Sequence, residues 1–145
     1  MTIYSLGYEK RNIQEYIQIL NDAKVHKLID VRETAWSYKR DFCKSRLTSA
    51  LAEVNIEYVH IKELGNPKKI RKSEVPHNEI LKLYKSYLRE TESGINYLKD
   101  IIQTAIKKKQ NICLTCFERE HLDCHRSIII RLIKSKIPAV NVIHL

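Results

Sequence analysis

The stretch CFEREHLDCHR occupies residues 116–126 near the C-terminus of the chain. The run that leads into this stretch and includes its first two residues, 112–117, is mostly apolar, β-branched or aromatic, which is typical of a buried strand. After it, Ile and Leu at positions 128, 129, 132 and 133 have the spacing of one helix face. Asp123 stands where a helix N-cap belongs. The sequence therefore predicts a strand that ends at Cys116, a connection, and a helix whose first turn holds residues 124–126.

Strand patterns alternate with helix patterns along the rest of the chain. Strands are predicted at residues 3–6, 27–32, 56–61 and 139–145, with helices after Asn12, after Arg46 and near residues 78–89 and 94–107. This alternation is typical of a parallel sheet with crossover helices. We therefore expect one α/β domain, residues 1–145, with a three-layer α/β/α architecture and a mainly parallel sheet of about five strands. Residues 62–77 are predicted to be a long loop.

Composition narrows the classes of protein and partner. No apolar run of 18 residues exists, and the N-terminus lacks the pattern of a signal peptide, so we expect a cytoplasmic protein without a membrane partner. The four cysteines are then expected to be reduced thiols. A net charge of +9 favours an anionic partner, either a phosphate-bearing small molecule or a nucleic acid, although the excess charge could also serve solubility alone. Nothing in the sequence specifies a cofactor or an oligomeric state.

Polar residues follow three of the predicted strands. In open parallel sheets the carboxyl ends of the strands meet at one edge, and ligands bind there. We therefore expect a site at this edge. Its candidate residues are Tyr8 and Glu9 after the first strand, Asp30 and Arg32 at the end of the second, and Cys116 and Glu118 after the fourth.

Cys116 is the candidate nucleophile. A cysteine near a helix N-terminus and cations can have a lowered pKa. The order of strand, cysteine, loop, Arg-Ser and helix is similar to that of rhodanese-like sulfurtransferases, although Arg126 follows Cys116 by ten residues, more than in those loops. The alternative is that Cys116 is a small buried hydrophobic residue. Asp30 or Glu118 could act as the general base, and the sequence does not choose between them.

The cationic and metal-binding residues leave further alternatives open. Arg32 and Arg126, with Cys124 and His125 beside them, could hold a phosphate or carboxylate, or the arginines could form structural ion pairs with Asp30 or Glu118. We assign no metal site. Cys113 and Cys116 lie three apart on a strand and point to opposite faces, which disfavours a four-ligand set, while Cys116, Cys124 and His125 remain a three-ligand alternative.

The loop after the second strand mixes basic and aromatic residues. It contains Ser37 and Arg40 among Trp36, Tyr38 and Phe42, and it should lie over the same edge of the sheet. Such a mixture suits stacking and charge contacts with a nucleotide or nucleic acid. The alternative is a loop anchored in the core by its aromatic residues, with its charges in solvent.

These motifs together resemble one known family. The chain is similar to the family designated domain of unknown function (DUF) 488, through Gly7-Tyr8-Glu9, Leu28-Ile29-Asp30-Val31-Arg32, Ser37 with Phe42, Glu63-Leu64-Gly65-Asn66-Pro67, and Cys116-Phe117-Glu118 with Cys124-His125-Arg126-Ser127. The resemblance implies an α/β fold and a site at the strand ends, but no agreed reaction. Many members have an arginine where this chain has Tyr38. If that arginine holds substrate in the family, either Arg40 takes this role here or the role is absent.

Three hypotheses for function follow. The first is a small enzyme that acts on a phosphate-bearing substrate such as a nucleotide or nucleic acid. The second is a nucleic-acid- or nucleotide-binding module without chemistry. The third is that the cluster of cysteine, histidine and arginine around Arg126 only fastens the last helix to the sheet.

Overall fold

The computed structural model describes residues 1–119 and 125–145. The predicted Asp123 cap and the candidate residue Cys124 lie outside these ranges. The described strands are β1 (Thr2–Gly7), β2 (Val25–Asp30), β3 (Glu57–His60), β4 (Asn111–Cys116) and β5 (Asn141–His144). The described helices are α1 (Ile13–Asp22), α2 (Lys44–Ala52), α3 (Lys68–Arg71), α4 (His77–Thr91), α5 (Ser93–Lys108) and α6 (Arg126–Lys136).

The five described strands form one sheet in the order β3-β2-β4-β1-β5, and every neighbouring pair is parallel. This confirms the predicted α/β class and the parallel sheet of five strands. Because β4 lies between β2 and β1, the carboxyl ends of these three strands are adjacent. Asp30 pairs with Thr115, and Gly7 pairs with Cys116.

Two apolar cores cover the two faces of the sheet, because successive side chains on a strand point to opposite faces. Ile29 and Leu114 pack with α4, α5 and α6, whereas Leu28 and Cys113 pack with α1 and α2. Cys116 belongs to the first core and Cys113 to the second, as the strand pattern predicted. The arrangement is therefore the three-layer α/β/α sandwich.

Local sequence accounts for the start of α1. The side chain of Asn12 accepts a hydrogen bond from the amide of Glu15 at 2.8 Å, which is the expected cap of α1. The segment predicted as one long loop, 62–77, contains a 3₁₀ turn at Lys62–Leu64 and the single turn α3, so that prediction was incomplete.

Within the described residues, no helix has the length and apolar character needed to cross a membrane.

Candidate functional site

A cavity of about 460 Å³ opens at the carboxyl edge of the sheet. It lies where the ends of β1, β2 and β4 meet, which is the edge that the sequence predicted. Five sequence-predicted residues line it, together with residues from the segments 33–36, 66–81 and 117. The five are Tyr8, Arg32, Cys116, Glu118 and His125.

Cys116 is the last residue of β4 and only 1% exposed, yet its side chain forms part of the cavity wall. Its Sγ lies 3.3 Å from Oε2 of Glu118. Cys43 and Cys113 are free thiols, as predicted, but Cys116 is disulfide-bonded, which the sequence prediction of reduced thiols missed. Spacing along the chain does not reveal which sulfur atoms come within bonding distance. A nucleophilic Cys116 therefore belongs to the reduced protein.

Gly7 explains how the end of β1 holds this segment in place. A Cβ atom at Gly7 would lie 1.7 Å from the carbonyl oxygen of Glu118, so no larger residue fits. Beyond Gly7, the amide of Tyr8 donates to the carbonyl of Cys116 and that of Glu9 to the carbonyl of Phe117. The ends of β1 and β4 are thus joined closely, and this contact positions Cys116 and Glu118.

Asp30 and Arg32 form a buried ion pair at the end of β2. Asp30 is fully buried, and Nη2 of Arg32 lies 2.7 Å from its Oδ2. Nε of Arg32 also donates to both oxygens, and the hydroxyl of Tyr58 donates to Oδ2. Burial opposes the guanidinium charge, but the hydrogen bonds and charge of Asp30 outweigh it, so the pKa of Arg32 is raised. Asp30 does not line the cavity, and this favours the structural alternative over a general base.

Arg32 reaches the cavity on its other side. Its Nη1 lies 3.2 Å from the hydroxyl of Tyr8, which accepts the hydrogen bond. The ring of Tyr8 stacks on Phe42 at 4.6 Å between centroids. Asp30 therefore orients the guanidinium, and Tyr8 and Phe42 limit its movement, so that one edge of Arg32 faces the cavity in a defined position.

His125 and Arg126 play different parts. Nε2 of His125 lies 3.1 Å from the carbonyl oxygen of Val31, and its ring packs edge-on against Tyr84. Burial lowers the pKa of His125. Arg126 is 1% exposed and does not line the cavity; its Nη2 donates to the carbonyl of Glu118 at 2.6 Å. These contacts favour the hypothesis that Arg126 holds the segment after β4 in place, rather than that it contacts a ligand.

The opposite wall of the cavity comes from the segment after β3, which the sequence marked only as a long loop. Arg71 of α3 pairs with Glu33 at 2.9 Å and also donates to the carbonyl of Asn66. The first turn of α4 contributes His77. The sequence did not predict Arg71 as a site residue, and the turn α3 directs it to the cavity. The unusual length of the loop was the available signal.

In addition to Asp30 and Arg126, three sequence-predicted residues lie outside the cavity. The carboxylate of Glu9 accepts a hydrogen bond from the amide of Arg119, and the hydroxyl of Ser37 accepts one from the amide of Lys39. Arg40 is exposed and borders a separate hollow with Arg46. The loop after β2 is anchored by buried Phe42, as the structural alternative predicted, but Trp36 still lines the cavity.

Three potential metal ligands meet in the cavity wall. Ligand atoms of Cys116, Glu118 and His125 all lie within 4.8 Å of one another. The sequence had suggested Cys116 and His125 with Cys124, which lies outside the described residues. Glu118 was missed as a ligand because it had been considered only as a base or an ion-pair partner.

Comparisons with known proteins place these observations in context. The structure is similar to the crystal structure of a putative phosphatase (DUF442) from Shewanella putrefaciens CN-32, with a TM-score of 0.46 and 13% sequence identity. The similarity covers 94% of this chain and 66% of that protein, so this chain spans just under two thirds of its length. No curated protein sequence matches the chain. The model of the family "Domain of unknown function DUF488" matches residues 12–133, which is most of the chain, and the protein therefore belongs to the DUF488 family.

Proposed function

We propose that this protein is an enzyme that binds a phosphate-bearing small substrate in the cavity and attacks it with the thiolate of reduced Cys116. The observation that carries the proposal is the placement of Cys116 in the wall of a cavity of about 460 Å³, beside a carboxylate and an arginine. A cavity of this volume falls in the range of small-molecule sites.

The electrostatics of the cavity favour an anion. Arg32 and Arg71 both line it, and the helices α4 and α6 begin beside it, at His77 and just after His125. A helix N-terminus carries a partial positive charge and backbone N–H groups without helical partners. Glu33 and Glu118 oppose this field, although Glu33 is paired with Arg71. Because Arg32 is paired with Asp30 and Arg71 with Glu33, the attraction for an anion comes from the two helix N-termini and from the edges of the arginines that face the cavity.

The roles of the side chains follow from their distances. Glu118 lies 3.3 Å from Sγ of Cys116 and is placed to accept the thiol proton. The thiolate would then attack an electrophilic centre of the substrate, and the leaving group would depart with the bonding electron pair. Arg32, oriented by Asp30, would hold the anionic part of the substrate. In this scheme Asp30 is a positioning residue and not the base.

Alkylation of the reduced protein tests this proposal. With iodoacetamide at neutral pH, Cys116 should be modified faster than Cys43, and inorganic phosphate should slow its modification. Cys113 is an internal negative control, because burial raises the pKa of its thiol to about 12. The rates can be read from peptide masses at each time point. If Cys116 reacts no faster than Cys113, the nucleophile role is lost.

A matched pair of variants tests where phosphate binds. Arg71→Gln removes a half-exposed cation from the cavity, and Lys69→Gln removes a cation of the same helical turn that does not line it. Protection by phosphate should be weakened in the first variant and unchanged in the second, at equal ionic strength. Equal protection in both variants would exclude the proposed anion position.

A second function, binding of single-stranded nucleic acid, is favoured by one surface. Trp36, Tyr38 and Phe117 are 56%, 93% and 46% exposed, and the rings of Trp36 and Tyr38 lie 4.6 Å apart. They border a hollow that also includes Lys10 and Lys39. Exposed aromatic rings between cations are the usual platform for unpaired bases.

A fluorescence binding assay with a labelled oligonucleotide tests this second function. If four phosphates are contacted, affinity should fall about 50-fold between 50 and 200 mM salt. Tyr38→Ala should weaken binding at least about fivefold through lost stacking. Tyr97→Ala, which removes an exposed tyrosine of α5, should have no effect. A salt-independent signal, or equal losses in the two variants, would contradict this function.

A further inference from the structure

The cluster of Cys116, Glu118 and His125 has the composition of a zinc site. A thiolate, a carboxylate oxygen and an imidazole nitrogen are the three ligand types that zinc takes in proteins. The thiolate and imidazole disfavour magnesium and calcium, which prefer oxygen ligands. All three residues line the same cavity, and their ligand atoms lie within 4.8 Å of one another.

The distances are close to those that a bound ion requires. Zinc at about 2.0–2.3 Å from each ligand in a tetrahedral arrangement has ligands separated by about 3.5 Å. The pair formed by Sγ of Cys116 and Oε2 of Glu118 is already 3.3 Å apart. One ring nitrogen of His125 lies within 4.8 Å of both of these atoms, so the ligands need to approach one another by about 1.3 Å at most, which side-chain rotation can provide.

The hydrogen bond of His125 orients its ring for this purpose. A carbonyl oxygen only accepts hydrogen bonds, so Nε2, at 3.1 Å from the carbonyl oxygen of Val31, is the protonated nitrogen. The lone pair of the neutral ring is then on Nδ1. Metal-binding histidines commonly donate their second ring N–H to a carbonyl or carboxylate in this way, which holds the tautomer and the ring orientation.

The geometry points to a zinc site formed by Cys116, Glu118 and His125 in the reduced protein, with these three ligands supplied by the part of the chain that the structure describes. Three protein ligands with one open position are typical of catalytic zinc sites, where water or a substrate oxygen completes the shell. The inference shares the reduced Cys116 thiol with the proposed function. Because Cys116 is disulfide-bonded in the structure, oxidation would abolish the site, and because zinc would occupy the thiolate, zinc and alkylation would exclude each other.

Cobalt(II) can report on this site through its absorption spectrum, without an activity assay. Titration of cobalt into the reduced, metal-free protein should produce a near-ultraviolet thiolate-to-cobalt absorption band with a stoichiometry of one ion per chain, and zinc should displace it. Cys116→Ser should abolish the band, while Cys43→Ser should leave it unchanged. Oxidised protein should give no band. A missing band, or one that persists in Cys116→Ser, would overturn the inference.

A second pair of variants guards against misfolding of the cysteine variant. Glu118→Gln alters a partly exposed side chain and should weaken cobalt affinity at least about tenfold, as losing a ligand costs no less than losing a supporting group. Glu33→Gln removes another carboxylate that lines the same cavity outside the cluster, and affinity should not change. Equal affinities in both variants would exclude Glu118 as a ligand and overturn the three-ligand site.

The failure of this inference can be told from failure of the proposed function. Alkylation of Cys116 in the presence of EDTA reports on the thiol alone, and the cobalt band reports on the metal site. Rapid alkylation without a cobalt band would leave the nucleophile proposal standing and remove the zinc site. A cobalt band without rapid alkylation in EDTA would leave the zinc site standing and remove the nucleophile proposal.

Discussion

Asp30→Asn is expected to lower the free energy of unfolding by about 3–5 kcal/mol, because it leaves the guanidinium of Arg32 buried without its counter-charge. Asp30 is fully buried and receives hydrogen bonds from Arg32 and Tyr58. An asparagine at this position would also direct an amide NH₂ group toward donors that need an acceptor. Urea unfolding of the two proteins at the same pH measures the difference.

Two further variants show whether the loss comes from the buried pair. Asp100→Asn makes the same chemical change at an exposed position of α5 and should alter stability by less than about 0.5 kcal/mol. Adding Arg32→Met to Asp30→Asn removes the stranded charge, so the double variant should regain part of the loss. A loss below about 1 kcal/mol in Asp30→Asn would mean that the pair is not formed as described.

Arg126→Met is the second change with a large expected effect. It should lower the free energy of unfolding by about 3 kcal/mol. Arg126 is 1% exposed, and its Nη2 donates to the backbone carbonyls of Glu118 and Arg119. A hydrogen bond from a charged donor contributes about 1.5–3 kcal/mol, and a part-buried carbonyl left without its donor adds part of its desolvation cost. Methionine keeps much of the aliphatic volume, so the measured loss reports mainly on the guanidinium.

Arg131→Met is the matched control, because Arg131 is an exposed residue of the same helix. In thermal and urea unfolding, Arg126→Met should be clearly less stable than Arg131→Met. Hydrogen exchange offers a second readout: the amide of Arg119, which donates to Glu9, should exchange faster in Arg126→Met only. If both variants are equally stable, Arg126 does not hold the segment after β4.

Local patterns in the sequence were sufficient to predict the architecture. Apolar runs such as 112–117 can only be buried on both faces, and their alternation with amphipathic segments leads to a parallel sheet covered by helices. The same patterns located Asp30, Cys116 and Tyr8 at one edge, because strand ends in a parallel sheet share a side. These conclusions need only the period and order of residues along the chain.

The role of each side chain at that edge depended on contacts between distant segments. Arg32 and Arg126 look alike in the sequence, yet one edge of Arg32 lines the cavity whereas Arg126 is buried against the carbonyls of Glu118 and Arg119. Arg71 became a cavity residue only because the turn α3 packs beside Glu33, 38 positions earlier.

The order and class of the elements were thus determined by the sequence alone, since burial and periodicity are local properties. The cavity, the assignment of Asp30 to position Arg32, and the meeting of Cys116, Glu118 and His125 were decided by tertiary structure. The position of Glu118 in that cluster depends on the backbone packing at Gly7, where a missing Cβ lets the segment after β4 approach β1. Such an approach depends on three-dimensional distances that spacing along the chain does not encode.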